Sequence, residues 1–137
     1  MNRSETGGPH RRGRVLEIIL WAVQILLAAF FLFQGGTKLL GADDAVRLFG
    51  DIGLGQWLRY VTGVCEVAGA VGLVIPRLSG IAALGLLGVM AGATVSNLAT
   101  PGYQAFAVQT VLLGAVFALV AWARRSQVRA LAATLRR

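Results

Sequence analysis

Four long apolar stretches dominate the chain and leave few folds open to it. They cover residues of about 15–38, 57–75, 78–98 and 104–123. Each is close to the roughly 20 residues that a helix needs to cross a lipid bilayer. Because lipid offers no hydrogen bonds to the backbone, segments of this length cross it as α-helices. Only 14% of the residues are charged, against roughly 25% in soluble domains.

The connections between the stretches indicate how the helices are arranged. Pro76-Arg77 ends the second stretch, and Pro101-Gly102 forms the turn after the third. Short connections place consecutive helices side by side and antiparallel. We therefore predict an all-α fold, a four-transmembrane-helix antiparallel bundle. The first stretch follows basic residues, as a signal peptide would, but it is long and no small-x-small cleavage site follows it, so we interpret it as an uncleaved helix.

Basic residues are concentrated at the two ends of the chain and predict its orientation. With both termini cytoplasmic, the outside holds only Lys38, Arg47 and Arg59, as the positive-inside rule requires. The predicted parts are a basic, flexible N-terminal tail (1–14), a membrane domain (15–123) with an outer loop (40–56), and a basic C-terminal tail (124–137). We expect a multi-pass protein of the bacterial inner membrane whose tails contact anionic lipid. The arginines on the inside are Arg3, Arg11, Arg12, Arg14, Arg77, Arg124, Arg125, Arg129, Arg136 and Arg137.

The outer loop contains a candidate short helix. Asp43 is placed to cap a helix that carries Val46 and Phe49 on one face. Such a helix would lie along the outer membrane surface. Its role is that of a plain connector or of a lid.

Composition argues against several classes of function. The net charge of +7 resides mainly in the tails, and no basic, aromatic-interleaved patch indicates a nucleic-acid partner. One cysteine, Cys65, and one histidine, His10, are present. A disulfide, a thiol pair or a metal or haem site of these residues is therefore not expected, and Cys65 is interpreted as a small apolar filler.

Glu66 lies inside the second apolar stretch and needs a partner there. A charged side chain at the bilayer centre costs about 2.5–3.5 kcal/mol on insertion scales. Lys38, the only lysine, ends the first stretch. Side chains tilt toward the N-terminus of their helix, so in antiparallel neighbours Lys38 points into the membrane and Glu66 points toward the outer face. We predict that the two charges approach each other, with Arg59 a weaker partner because it points outward.

Further polar residues are predicted to surround this pair. Gln34 and Thr62 lie one helical turn from Lys38 and Glu66, respectively, and Thr94, Asn97 and Gln109 lie in the outer half of the last two stretches. The pair either registers two helices without chemistry, or forms a site for a small polar or quinone-like ligand or for a proton. Both interpretations stay open at this point.

Small residues predict close helix packing. Gly88 and Gly92 form a G-x-x-x-G pattern, and Ala68 with Gly72 repeats the spacing. Such patterns let helix backbones approach each other in lipid, within the bundle or between copies in a homo-oligomer.

Two segments resemble the DoxX family of small four-span membrane proteins. They are FFLFQGGTKLLG, with Gly36-Thr37-Lys38, and YVTGVCEVAGAVGLVIP, with Gly63 three residues before Glu66. The resemblance covers roughly residues 15–120. It implies association with membrane oxidoreductase systems, including a subunit of a thiosulfate:quinone oxidoreductase and a complex linked to thiol and superoxide stress. Related eukaryotic proteins act as assembly chaperones or cargo receptors.

The resemblance and the residues together lead to one expectation and two alternatives. We expect an accessory subunit of a membrane redox or envelope-stress complex, not an enzyme by itself, with Lys38 and Glu66 at its polar centre. Because the chain lacks a cysteine pair, a redox role would come through a quinone or a partner protein. The alternatives are a membrane chaperone or scaffold with a purely structural ion pair, and a small carrier of a proton or solute.

Overall fold

The computed structural model describes residues 9–137. This part of the chain forms six helices and no strand, which confirms the predicted all-α class. The helices are α1 (Pro9–Leu40), α2 (Asp43–Ile52), α3 (Trp57–Leu73), α4 (Ser79–Ala99), α5 (Gln104–Ala123) and α6 (Arg125–Leu135).

Three of these helices, α1, α4 and α5, are long and apolar enough to cross a membrane. The fourth predicted span, α3, has 17 residues, a length of about 26 Å that lies at the lower limit for a spanning helix. Large apolar side chains are exposed on the outside of the bundle, which suits a surface that faces lipid rather than water. They include Leu26, Phe33, Val64, Val108, Leu112 and Leu119.

The helices pack in the order α1, α3, α4, α5, with α3 between α1 and α4. The aromatic rings of Phe31 in α1 and Phe117 in α5 meet edge to face, with centroids 5.1 Å apart. Both side chains are fully buried with Leu73 and Leu86 in the core. This contact joins the first helix to the fifth across the centre of the bundle.

Glycines bring α3 close to both of its neighbours. A Cβ atom at Gly35 in α1 would lie 2.8 Å from the carbonyl oxygen of Gly63 in α3, and a Cβ at Gly63 would lie 3.1 Å from that of Gly35. On the other side of α3, a Cβ at Gly69 would lie 2.5 Å from Leu86 of α4. The backbones of α1 and α3 can approach this closely only because neither Gly35 nor Gly63 has a side chain.

The predicted G-x-x-x-G pair does not take part in this packing. A Cβ at Gly88 or Gly92 would meet no atom within 4 Å. Both residues are exposed. Gly72, from the second predicted pattern, does pack closely, since a Cβ there would lie 2.8 Å from that of Ala82 in α4. Packing between copies stays a prediction.

The structure places helices where the sequence predicted tails. α1 begins at Pro9, and α6 fills most of the predicted C-terminal tail; residues 1–8 of the N-terminal tail lie outside the described part. Arginine is a good helix former, so helical structure continues beyond the apolar stretches. The bundle has two ends, which we call the arginine-rich end, where α1 begins and α5 ends, and the α2 end, where α1 ends and α5 begins.

The short helix in the outer loop is present as α2. Ala42, and not Asp43, occupies its N-cap position, without a side-chain cap. Asp43 and Asp44 instead lie in the first turn, where a carboxylate interacts favourably with the helix dipole. Phe49 is buried, whereas Val46 is 38% exposed, so the two do not share a buried face.

Candidate ligand-binding cavity

Lys38 and Glu66 form an ion pair between α1 and α3. The Lys38 Nζ donates a hydrogen bond to the Glu66 Oε2 over 2.8 Å, and the two side chains are 13% and 4% exposed. Each residue lies three positions beyond the glycine contact, Lys38 after Gly35 and Glu66 after Gly63. Because both side chains tilt back toward the N-terminus of their own helix, they converge at the level of the glycines.

The ion pair lies on the wall of a cavity at the α2 end, with a volume of about 1090 Å³. This volume lies slightly above the roughly 300–1,000 Å³ typical of small-molecule sites. Six of the seven polar residues that the sequence singled out line it: Gln34, Lys38, Thr62, Glu66, Asn97 and Gln109. The seventh, Thr94, does not, but its hydroxyl lies 2.7 Å from that of Thr110, which does line the cavity.

The rest of the cavity wall is mostly aromatic and aliphatic. Five phenylalanines from α1, α2 and α5 contribute, together with apolar side chains of α3, α4 and α5. One region of the wall can therefore form hydrogen bonds, while the remainder offers ring faces and apolar surface. These residues include Phe30, Phe31, Phe49, Phe106, Leu58, Met90 and Leu113.

α2 covers the cavity at this end of the bundle, and its C-terminal end is bound to the connection between α4 and α5. The Tyr103 hydroxyl, in the connection between α4 and α5, donates a hydrogen bond of 2.7 Å to Asp51 of α2. This hydrogen bond raises the pKa of Tyr103 above its ordinary value, because the carboxylate stabilises the protonated phenol. Gly41 and Gly53 flank the helix with φ of 74° and 79°, backbone conformations that other residues rarely adopt.

A family comparison identifies the fold around this cavity. The model of the DoxX-like family matches residues 22–124, a segment that contains the ion pair and every residue that lines the cavity. The chain belongs to the DoxX-like family. This match confirms the resemblance seen in the sequence and, with the three apolar helices, identifies a DoxX-like membrane protein. Comparison with curated proteins and with solved structures gave no match.

In this DoxX-like chain, Arg59 has a role that the sequence did not indicate. Its side chain is buried, its Nη1 donates to the backbone carbonyl of Lys38, and its Nε donates to Gln56 over 2.7 Å. Arg59 thus supports the residue that bears the ammonium group rather than the carboxylate of Glu66. The carbonyls at the end of α1 lack partners within the helix. Their need for a hydrogen-bond donor is the feature of the sequence that could have predicted the role of Arg59.

A second buried polar cluster of the DoxX-like domain, at the arginine-rich end, was missed entirely. Gln24 is fully buried; it donates to the carbonyl of Leu73 over 2.7 Å and accepts a hydrogen bond from the Arg124 Nε over 2.9 Å. Arg124 also donates to Glu17 over 2.7 Å and lies over the ring of Trp21. Glu17, Trp21 and Gln24 share one helix face, so their spacing could have indicated a buried partner.

Neither cluster resembles a metal site. Within residues 11–137, whose side chains the structure describes, there is no group of three histidine, cysteine or acidic side chains that could hold a metal ion. Cys65, adjacent to Glu66 in sequence, is exposed on the outside of α3 and does not line the cavity.

Proposed function

We propose that this DoxX-like protein is an accessory subunit of a membrane redox or envelope-stress complex and binds a quinone in the cavity beneath α2. One observation carries the proposal: the Lys38–Glu66 pair opens onto a ligand-sized cavity among polar side chains from four helices. A pair that only held α1 against α3 would need no such cavity. Because the chain has one cysteine, electrons would be exchanged with a partner protein and not through a thiol pair of its own.

The cavity residues match the chemistry of a quinone head group. Its two carbonyl oxygens accept hydrogen bonds, and the wall offers donors in the ammonium group of Lys38 and in the amides of Gln34, Asn97 and Gln109. The flat ring suits the phenylalanine faces, and an isoprenoid tail suits the lipid around the bundle. When bound, a quinone supplies reversible two-electron, two-proton redox chemistry.

The ion pair would orient the ligand and hold a proton beside it. Lys38 can donate to Glu66 and to a ligand carbonyl at once, because an ammonium group has three N–H donors. Arg59 keeps the end of α1 in place through the backbone of Lys38. Of the three carboxyl groups on the wall, Asp44 is paired with Arg47 and Asp51 with Tyr103, both on the exposed side. Glu66 is the buried one, and it can exchange a proton with the ligand because Lys38 can turn toward the ligand oxygen.

Loss of either charge is expected to weaken quinone binding. We expect Glu66→Gln and Lys38→Met to lower the affinity for a short-chain ubiquinone about tenfold or more, because a hydrogen bond to a charged group contributes about 1.5–3 kcal/mol. Binding is measured by quenching of tryptophan fluorescence in detergent. Cys65→Ser, next to Glu66 but outside the cavity, is the matched control and should bind like the wild type. Full affinity in Glu66→Gln would overturn the proposal, and a lowered melting temperature of that variant would then indicate a structural pair.

We also propose that α3 is the fourth span and that both termini are cytoplasmic in a bacterial inner membrane. Its position between α1 and α4 and its exposed apolar residues Val61 and Val71 support this, as does the concentration of arginine at one end. In a Cys65→Ser background, Asp43→Cys should react with an impermeant maleimide in spheroplasts, and Arg136→Cys only after lysis. The reverse pattern contradicts this topology.

A scaffold that docks partner helices is the second candidate. The exposed surface of α4 at Gly88, where a Cβ would meet open space, favours it, because small residues permit close helix contact in lipid. Gly88→Leu should then remove a co-purifying partner protein and leave quinone binding unchanged. Retention of the partner by this variant, checked by mass spectrometry, counts against docking at this face.

A further inference from the structure

A second cavity lies at the arginine-rich end, on the outside of the bundle. It is a groove of about 340 Å³ between α4, α5 and α6. Leu84, Leu87 and Ala118 form apolar walls, and Trp122, Arg125 and Arg129 lie where α5 gives way to α6. The groove is separate from the cavity beneath α2 and shares no residue with it.

α6 is held firmly enough to keep the two arginines at the groove. Gln127 and Ser79, at the start of α4, are joined by a hydrogen bond of 2.7 Å. Next to it, Val128 packs so closely on Gly80 that a Cβ at Gly80 would lie 2.7 Å from the valine methyl. Arg125 and Arg129, four positions apart, consequently face the groove from one side of a fixed helix.

The positive charge at the groove has no carboxylate to neutralise it. Within residues 11–137, Arg125 and Arg129 take part in no ion pair. Glu17, an acidic residue of α1 at the same end of the bundle, is already bound by Arg124. Arg125 donates one hydrogen bond to the carbonyl of Trp122 and lies 4.5 Å from the centroid of its ring. A guanidinium has five N–H donors, so most of them stay free for an anion.

We infer that this groove binds one anionic phospholipid, with its phosphate at Arg125 and Arg129 and one acyl chain along Leu84, Leu87 and Ala118. The groove combines the two properties of such a lipid, since free guanidinium groups lie next to an apolar channel along α5, a helix able to span the membrane. Trp122 is 66% exposed, as is usual for tryptophan at a membrane interface. Basic pockets between helices bind anionic head groups in the same way. The inference does not depend on the proposed quinone site.

The test is lipid retention by the full-length protein, measured by native mass spectrometry. Purified protein in detergent receives equal amounts of dioleoyl phosphatidylglycerol and dioleoyl phosphatidylcholine, and the wild type should retain one phosphatidylglycerol per chain in preference. The double variant Arg125→Gln/Arg129→Gln should bind it about 30-fold more weakly, since each arginine near a head group contributes a factor of about five. Arg136→Gln/Arg137→Gln removes the same charge beyond the groove and should change the affinity less than twofold.

A third variant separates the groove from a mere basic surface. Ala118→Trp fills the channel but keeps every charge, and because Ala118 is exposed, the variant should fold. It should lose the retained lipid as the double arginine variant does. The inference is overturned if the two double arginine variants lose the lipid equally, or if Ala118→Trp retains it fully. Displacement of the lipid by millimolar inorganic phosphate also overturns it, because that result would indicate an anion site without an acyl chain. Melting temperatures in lipid-free detergent verify that each variant is folded.

Discussion

The contact between Gly35 and Gly63 sets the position of the ion pair, and Gly35→Ala tests it. The added methyl group would lie 2.7 Å from the Val67 Cγ2 and 2.8 Å from the Gly63 carbonyl oxygen. The valine can turn away, but the carbonyl belongs to the backbone of α3 and cannot move alone. α1 and α3 must therefore separate locally, and overpacking of this kind costs about 1–3 kcal/mol.

Gly36→Ala is the matched control for this variant. It lies next to Gly35 in the same helix, and its Cβ would meet no atom within 4 Å. Both variants gain the higher helix propensity of alanine, about 1 kcal/mol, so their difference in unfolding free energy isolates the steric cost. We expect Gly36→Ala to be at least as stable as the wild type, and Gly35→Ala to be about 1–3 kcal/mol less stable than Gly36→Ala.

The assay is equilibrium unfolding in dodecyl maltoside with increasing mole fraction of sodium dodecyl sulfate, followed by circular dichroism. Gly35→Ala should also weaken quinone binding, because moving α1 away from α3 lengthens the distance between Lys38 and Glu66. If Gly35→Ala and Gly36→Ala unfold at the same denaturant fraction, the two helices do not approach each other at Gly35 and the packing described above is wrong.

Two further predictions concern the ends of the bundle. Arg124→Met should destabilise the protein by about 1–3 kcal/mol in the same assay, because the buried amide oxygen of Gln24 loses its hydrogen-bond donor. The control Arg136→Met should change the unfolding free energy by no more than about 0.5 kcal/mol. Equal effects of the two variants would refute the buried role of Arg124. The pKa of Tyr103 should lie above that of an ordinary tyrosine, because its hydrogen bond to Asp51 stabilises the protonated phenol. The bond that attaches α2 is therefore fully formed below about pH 10. It weakens as the pH rises through the folded-state pKa. The absorbance difference between the wild type and Tyr103→Phe measures this titration, which should move to lower pH in Asp51→Asn; an unmoved curve contradicts the bond.

Helix direction was enough to predict the central contact of the candidate site from the sequence. Lys38 and Glu66 are 28 positions apart, yet the tilt of side chains in antiparallel neighbours brought them together, and the structure places Nζ and Oε2 2.8 Å apart. Direction did not determine which glycines form the contact. The family-like motif drew attention to Gly36, whereas Gly35 is the residue that packs on Gly63, because rotation of a helix about its axis depends on its neighbours.

The sequence also left the length of α3 and the role of the tails unsettled. The second apolar stretch continues to Ile75, but the helix ends at Leu73, close to Pro76, since the residue before a proline disfavours helix. The sequence placed Arg124 in the basic C-terminal tail, because charge alone does not distinguish a buried guanidinium from an exposed one. Its burial depends on Gln24, which lies 100 positions earlier in the chain.

The sequence by itself determined the helical class, the membrane setting, the family and the meeting of Lys38 with Glu66. These follow from hydropathy over about 20 residues, from motif spacing and from helix direction, all of which are local properties. Only the tertiary structure decided that α2 covers a cavity, that Arg59 supports the end of α1, and that Arg125 and Arg129 head a groove. Those features depend on the rotation and depth of whole helices relative to each other, which are set by side-chain packing among residues distant in the chain.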